Sequence, residues 1–273
     1  HFACVGFARR EKNDEQFRNE MLEGVNKYSR TKPVDPELWK TFSEQLYYHV
    51  SEFHEDEGYA KLAELLTRLD KQHGTKGNRV FYLSTQPSFF PTIIEKLNAH
   101  QLLYKEGEVQ DKWSRVIIEK PFGHDLDSAN ALQKDISQHL DESQIYRIDH
   151  YLGKETVQNL LVFRFSNPLF EAIWNNRHID NVQITVGEEI GIGTRGRFFE
   201  EAGILRDIVQ NHMMQLLSLV CMEPPTSFKA DAIHNEKVKV VESIRPFPKD
   251  QFDDWVIRGQ YGPGFINGEP VKG

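Results

Sequence analysis

Val116-Ile117-Ile118-Glu119-Lys120-Pro121-Phe122-Gly123, then a helical stretch from Leu126 to Leu140, then Gln144-Ile145-Tyr146-Arg147: this passage decides the fold. Two short apolar runs flank one helix-length segment, and parallel neighbours in a sheet need a crossover of about a dozen residues or more, which a helix supplies. The same unit recurs upstream. Arg79-Val80-Phe81-Tyr82-Leu83 is an apolar strand behind a helix marked by Tyr59, Leu62, Leu65, Leu66 and Leu69, with Gly74 to close it. Ile93, Ile94 and Leu97 behind Pro91 predict the next helix. Nearer the start, His1 to Phe7 reads as a strand, and Asn13-Asp14-Glu15-Gln16 as a capping box for a helix bearing Phe17, Met21, Leu22, Val25 and Tyr28. Asp35-Pro36 opens another helix with Leu38, Trp39, Phe42 and Leu46 on its apolar face, and Tyr47 to Phe53 reads as a short strand. This alternation predicts an α/β protein: a doubly wound parallel sheet with helices on both faces.

From about Tyr151 the rhythm changes. A long helix-like run covers Lys154 to Phe165, a strand is expected at Asn181 to Val186, and a second long run covers Ile204 to Met222. A domain boundary is therefore expected near Ile148, with one domain over 1–148 and a second over 149–273. The opening reads as a strand already under way without an initiator Met, and the Gly- and Pro-rich close has no terminal element, so both domains are expected to be incomplete.

Composition excludes several classes. The 273 residues carry 33 Lys and Arg against 41 Asp and Glu, a formal charge of −8. Non-specific nucleic-acid affinity comes mostly from phosphate neutralisation, so no nucleic-acid partner is expected. The longest apolar stretch, Leu216 to Met222 interrupted by Ser218, falls far short of the roughly 20 residues that span a membrane. Cys4 and Cys221 supply neither a disulfide framework nor metal-ligand spacing, which points to a reducing compartment and no structural metal.

Four constellations could carry chemistry. Arg9-Arg10 lies just past the opening strand, at the edge where doubly wound sheets bind nucleotides; an Arg there grips the 2′-phosphate of NADP, or the pair is merely solvated. Lys120 closes the Val116 strand and points into the cofactor crevice, unless Glu119 to Gly123 is a plain turn. Asp149, His150, Tyr151 and Lys154 gather an acid, an imidazole, a phenol and an ammonium at one helix N-terminus, which suits a phosphate, with capping and salt bridging as the alternative. Asp207 and His212 sit five apart, about 140° from one another at α-helical pitch, so they need not touch, and His212 as a base would need a carboxylate from elsewhere. Gly191-Ile192-Gly193-Thr194-Arg195-Gly196 spells GxGxxG but opens no clean helix and reads as a loop.

Taken together, Arg147 to Glu155 resembles the signature of the glucose-6-phosphate dehydrogenase family. Val5 to Arg9, Glu119 to Gly123, Val157 to Leu160, Ile173 to Asn175 and Gly203 to His212 resemble that family too, in its order and spacing. The resemblance implies a Rossmann-like NADP-binding domain followed by a β+α substrate and dimerisation domain. The implied reaction is hydride transfer from the anomeric carbon of glucose 6-phosphate to NADP, giving 6-phosphogluconolactone, the first step of the oxidative pentose phosphate pathway. His212 would be the general base and Asp149 its orienting carboxylate. His150, Tyr151 and Lys154 would hold the substrate phosphate, Glu188 and Asp207 the sugar hydroxyls. Lys120 would stand between substrate and nicotinamide, and Arg9 would take the 2′-phosphate. A cytoplasmic homo-oligomer is implied for the full-length protein. The family's glycine-rich phosphate loop would precede His1, so residues 1–273 alone are expected to turn over weakly or not at all. Phe90 stands where some relatives carry a Tyr that touches the coenzyme. A silent sugar-phosphate-binding module is the reading from another class. Glu119-Lys120-Pro121 also resembles the glucose-fructose oxidoreductase and inositol dehydrogenase group.

Overall fold

All five strands up to Arg147 pair in parallel with their neighbours. They belong to a computed structural model that describes residues 1–187, 199, 202–248, 250–259, 262–266 and 268–271. Strand β1 (Cys4–Ala8) leads through α1 (Asp14–Tyr28) and α2 (Pro36–Ser43) to β2 (Leu46–Val50), its partner. Helix α3 (Asp56–His73) then leads to β3 (Arg79–Leu83), α4 (Phe90–Ala99), β4 (Ser114–Ile118), α5 (Leu126–Ser137) and β5 (Ile145–Arg147), in the spatial order β3-β4-β5.

Local chemistry sets the helix ends. Asn13 accepts from the Gln16 amide at 2.9 Å while the Gln16 side chain accepts from the Asn13 amide at 3.0 Å, which closes the expected box on α1. Asp35 accepts from the amides of Glu37 and Leu38 at 2.8 and 3.2 Å ahead of Pro36. Gly74 ends α3 at φ +68°, a conformation that glycine adopts without steric cost.

The core lies between β3-β4-β5 and helices α3, α4 and α5. Tyr59, Phe90, Val116 and Ile136 are fully buried there, with Ile94, Leu97, Ile118 and Leu140 beside them. Each such side chain stabilises the fold by about 1.5–3 kcal/mol. The start of the central strand carries a buried polar knot. Ser114 Oγ donates to Tyr104 O and accepts from Tyr104 N, at 3.0 and 3.1 Å, while Gln144 Nε2 donates to Tyr104 O and Ser114 O, both at 2.8 Å. Every member is paired, which keeps polar groups in a core from costing stability.

The chain divides into two compact units. The first comprises residues 1–154 with the described residues up to His212, and the second residues 155–187 with those from Met213 onward. In the second, α6 (Glu155–Phe165) and α7 (Pro168–Ile173) precede α8 (Met214–Cys221), α9 (Ala230–Glu242), the short α10 (Phe252–Trp255) and an antiparallel pair, β6 (Gly264–Ile266) with β7 (Glu269–Val271). Arg164, 2 % exposed, donates to Leu219 O at 2.9 Å, and Trp174 Nε1 donates to Val220 O at 2.8 Å, so two side chains satisfy carbonyls of the last turn of α8. No helix among the described residues is long and apolar enough to cross a membrane.

Four expectations fail. Leu46, expected on the apolar face of α2, opens β2 instead, because α2 ends at Ser43. The Gly- and Pro-rich close, expected to hold no terminal element, carries the β6–β7 pair. Residues 181–187 are irregular rather than a strand, because alternating Val182, Ile184 and Val186 suit a sheet face only where a neighbouring strand pairs with them, and none among the described residues does. The run from Ile204 to Met222 is not one α-helix either. Leu205–Met213 is a π-helix that passes directly into α8.

Candidate active site

The parallel register brings the first two groups together. Ile118 in β4 pairs with Arg147 in β5, and Ile148 N donates to Ile118 O at 3.0 Å, extending the ladder by one residue. Lys120 and Asp149 each follow two residues after a register partner, so both emerge at the carboxyl edge of the sheet, where α/β folds carry their ligands. Gly123, at φ +76°, turns the chain after Phe122; a Cβ there would stand 2.5 Å from Ala129 N, so the turn admits no side chain. Arg147 braces this corner from outside, its guanidinium 4.6 Å from the Phe122 ring centroid and paired with Glu142.

The third group comes from the π-helix. His212, fully buried, sets Nδ1 2.6 Å from Asp149 Oδ1 and Nε2 2.9 Å from Lys120 Nζ. An ammonium only donates, so Nε2 is the acceptor and the ring proton sits on Nδ1, directed at Asp149. Asp149 Oδ1 also accepts from Tyr151 N at 3.0 Å, which fixes the carboxylate from a second side. Lys120 Nζ donates to Asp207 Oδ1 at 3.0 Å as well, and the Asp207 side chain is only 5 % exposed. The i to i+5 hydrogen bonding of a π-helix stacks residues five apart, and that is why Asp207 and His212 meet the same ammonium.

The rings are layered. Tyr151 stacks on His212 with centroids 4.0 Å apart and planes at 13°, His150 meets the His212 ring edge-on at 4.5 Å, and Lys154 Nζ lies 3.6 Å from the Tyr151 centroid. His150 is exposed overall. Partial desolvation against its neighbours, then the adjoining His212 ring and the Lys120 ammonium, pushes it below the usual histidine value, against the opposing pull of Asp149.

Of the residues singled out in the sequence, Lys120, Asp149, His150, Tyr151, Lys154, Asp207 and His212 form one cluster. Arg9 lies elsewhere, exposed just beyond β1, and Phe90 is buried in the core. Glu188 and the Gly191 to Gly196 loop fall outside the described residues. The sequence did not reveal the ring stack of Tyr151 on His212. Asp149, His150 and His212 each offer a ligand atom within 4.8 Å of the others, a donor set for a cation, but the Lys120 ammonium against Nε2 opposes a second positive charge there.

A parallel strand–helix sheet with a histidine–carboxylate pair and an ammonium at its carboxyl edge is the arrangement that doubly wound nucleotide-binding domains present on their ligand side. Residues 1–159 match the family profile described as the NAD binding domain of glucose-6-phosphate dehydrogenase, and residues 161–273 match its C-terminal domain. The chain belongs to the glucose-6-phosphate dehydrogenase family. It is 55% identical over 272 residues to glucose-6-phosphate 1-dehydrogenase of Chlamydia pneumoniae, covering 100% of this chain and 52% of the relative. With the Bacillus subtilis enzyme of the same name it shares 44% identity over 270 residues, covering 99% of this chain and 53% of the relative. A solved glucose-6-phosphate dehydrogenase in complex with its substrate glucose-6-phosphate superposes with a TM-score of 0.85 at 36% identity, over 99% of this chain and 53% of that one. The chain spans about half the length of the curated relatives it matches.

Proposed function

We propose that the protein oxidises glucose 6-phosphate to 6-phosphogluconolactone with NADP as hydride acceptor, and that this chain contributes the coenzyme domain and the proton-transfer centre. The observation that carries this reading is the His212 pair: Nδ1 bound to Asp149 and Nε2 held as an acceptor at the carboxyl edge of the sheet.

His212 Nε2 takes the proton of the anomeric hydroxyl. Lys120 Nζ occupies the acceptor direction of Nε2 and yields it to that hydroxyl, remaining close through Asp207. Asp149 keeps the imidazole in the productive tautomer and stabilises the cation that forms. Tyr151 holds the ring plane from one face. His150 and Lys154, both exposed beside the ring stack, reach the substrate phosphate by charge-assisted and neutral hydrogen bonds. Asp207 and Glu188 accept from sugar hydroxyls.

The donor set fits a nucleotide carrying a 2′-phosphate: two exposed guanidinium groups, Arg9 and Arg10, follow the carboxyl end of β1. When bound, NADP supplies the hydride acceptor. The same reading includes a cytoplasmic homo-oligomer, for which the family resemblance is the support.

The test is reduction of NADP by the full-length protein with glucose 6-phosphate, with glucose and NAD as controls. Phosphate-dependent reduction is expected. A folded, nucleotide-binding protein that reduces nothing would refute it.

A further inference from the structure

The Arg9-Arg10 segment is held by a residue of the neighbouring strand. Tyr48, in the middle of β2, donates its hydroxyl to Arg10 O at 2.8 Å. Its backbone amide donates to Asp14 Oδ1 at 2.7 Å, at the first turn of α1. The ring packs against Phe17 with centroids 5.2 Å apart, and Lys12 Nζ lies 5.8 Å from its centroid. Beneath the two rings is Gly6 of β1, where a Cβ would come within 2.9 Å of Phe17 Cζ and 3.1 Å of Tyr48 Cδ2. One tyrosine thus ties together β1, the turn after it and the helix that follows.

Arg9 is the residue between the two anchors. On one side Ala8 is fixed by the β1–β2 ladder, opposite Val50, with Ser51 N donating to Ala8 O at 3.3 Å. On the other side the Arg10 carbonyl is fixed by the Tyr48 hydroxyl. Lys12 is turned back onto α1 by an ion pair with Glu20, while Arg9 and Arg10 stay exposed. A guanidinium recognises a phosphate monoester through a planar fork whose direction depends on the backbone that bears it.

We infer that Tyr48 is a positioning residue for 2′-phosphate recognition: its hydroxyl orients the Arg9-Arg10 turn and thereby sets the preference for a 2′-phosphorylated dinucleotide over its unphosphorylated counterpart. The inference rests on the reading of Arg9 given above. Tyr48 acts through the turn and not by touching the nucleotide.

The test is equilibrium binding of NADP and of NAD to the full-length protein by titration calorimetry, for Tyr48→Phe and, in parallel, Arg9→Ala. Tyr48→Phe keeps the ring packing against Phe17 and Gly6 and removes only the hydrogen bond to Arg10 O. The NADP dissociation constant is expected to rise about 3- to 10-fold, as the loss of one hydrogen bond allows, with NAD changed less than about 2-fold. General loosening of β2 would weaken both nucleotides alike. If Arg9→Ala is selective against NADP and Tyr48→Phe weakens both equally or neither, the inference about Tyr48 falls while the reading of Arg9 stands. If Arg9→Ala is itself unselective, the reading of Arg9 falls and the inference with it.

Discussion

Asp207 and His212 reach the same ammonium, Lys120 Nζ, at 3.0 and 2.9 Å. In an α-helix these two side chains would diverge by about 140°. The π-helical turn narrows that divergence, so a buried acid and a buried imidazole converge on one cation. The imidazole is then held from both ends, by Lys120 at Nε2 and by Asp149 at Nδ1.

His212→Asn is expected to lower turnover by about 100-fold to 10,000-fold, since the variant lacks a proton acceptor at Nε2. Substrate affinity should remain within a few-fold of the unaltered protein. Steady-state NADP reduction beside calorimetric titration with glucose 6-phosphate checks both. A raised Michaelis constant with unchanged turnover would make His212 a binding residue.

Asp207→Asn leaves the Lys120 ammonium with its hydrogen bond to His212 but without a counter-charge. Lys120→Met does the reverse and leaves a carboxylate that is 95 % buried without its cation, because Asp207 is only 5 % exposed where Lys120 is 27 % exposed. The stability loss should therefore be larger for Lys120→Met, on the order of 3 kcal/mol, than for Asp207→Asn. Urea unfolding of the two variants at neutral pH decides it, and the opposite order would show that Asp207 is wetter than its burial implies.

His150 gives a signed pH effect. Its folded-state value lies below the usual 6.5, so in the window between the two the unfolded chain binds more protons and stability falls as pH falls. A bound phosphate dianion reverses the local field and draws a proton back onto the ring. Binding of glucose 6-phosphate just above pH 6 should therefore take up protons, and His150→Gln should reduce the uptake. Calorimetry in two buffers of different ionisation enthalpy measures it; uptake that is unchanged in the variant would assign the proton to the substrate phosphate.

Arg164, 2 % exposed, anchors the end of α8 with its guanidinium 5.0 Å from the Trp174 ring centroid and 4.6 Å from that of Phe165. Arg164→Ala removes the donor to Leu219 O and opens a cavity, costing about 2–4 kcal/mol. Arg164→Met refills the space without burying a charge and should cost less. Denaturant unfolding compares the two, and equal losses would mean that the hydrogen bond alone matters.

Local signals were legible in the sequence. The Asn13 box, the Asp35 cap and the Gly74 stop each depend on a few adjacent residues, and all three formed. The parallel sheet was legible too, because crossover length and apolar spacing demand it. What could not be read was set at a distance. The strand expected at Asn181 to Val186 needed a partner that periodicity does not reveal. The π-helix changed which residues share a face without changing any letter, so Asp207 and His212 looked divergent. The contact of His212 with Asp149 joins residues 63 apart, and only the family resemblance linked them.

The knot of Tyr104, Ser114 and Gln144 has no chemistry to perform, yet it bears on the chemistry. It sits where β4 begins and just ahead of β5, roughly 13 Å along the strand from Ile118, the last residue before the Glu119-Lys120 corner. Two rods clamped at both ends keep their tips level. The ladder and the Arg147 brace at the carboxyl edge thus have a second fixed point behind them, and the edge can carry charged, solvent-facing groups and a π-helical visitor. Variation in Tyr104, Ser114 or Gln144 would misalign Lys120 against Asp149 while leaving every residue of the cluster chemically intact, and such a defect would be invisible to any inspection confined to the site.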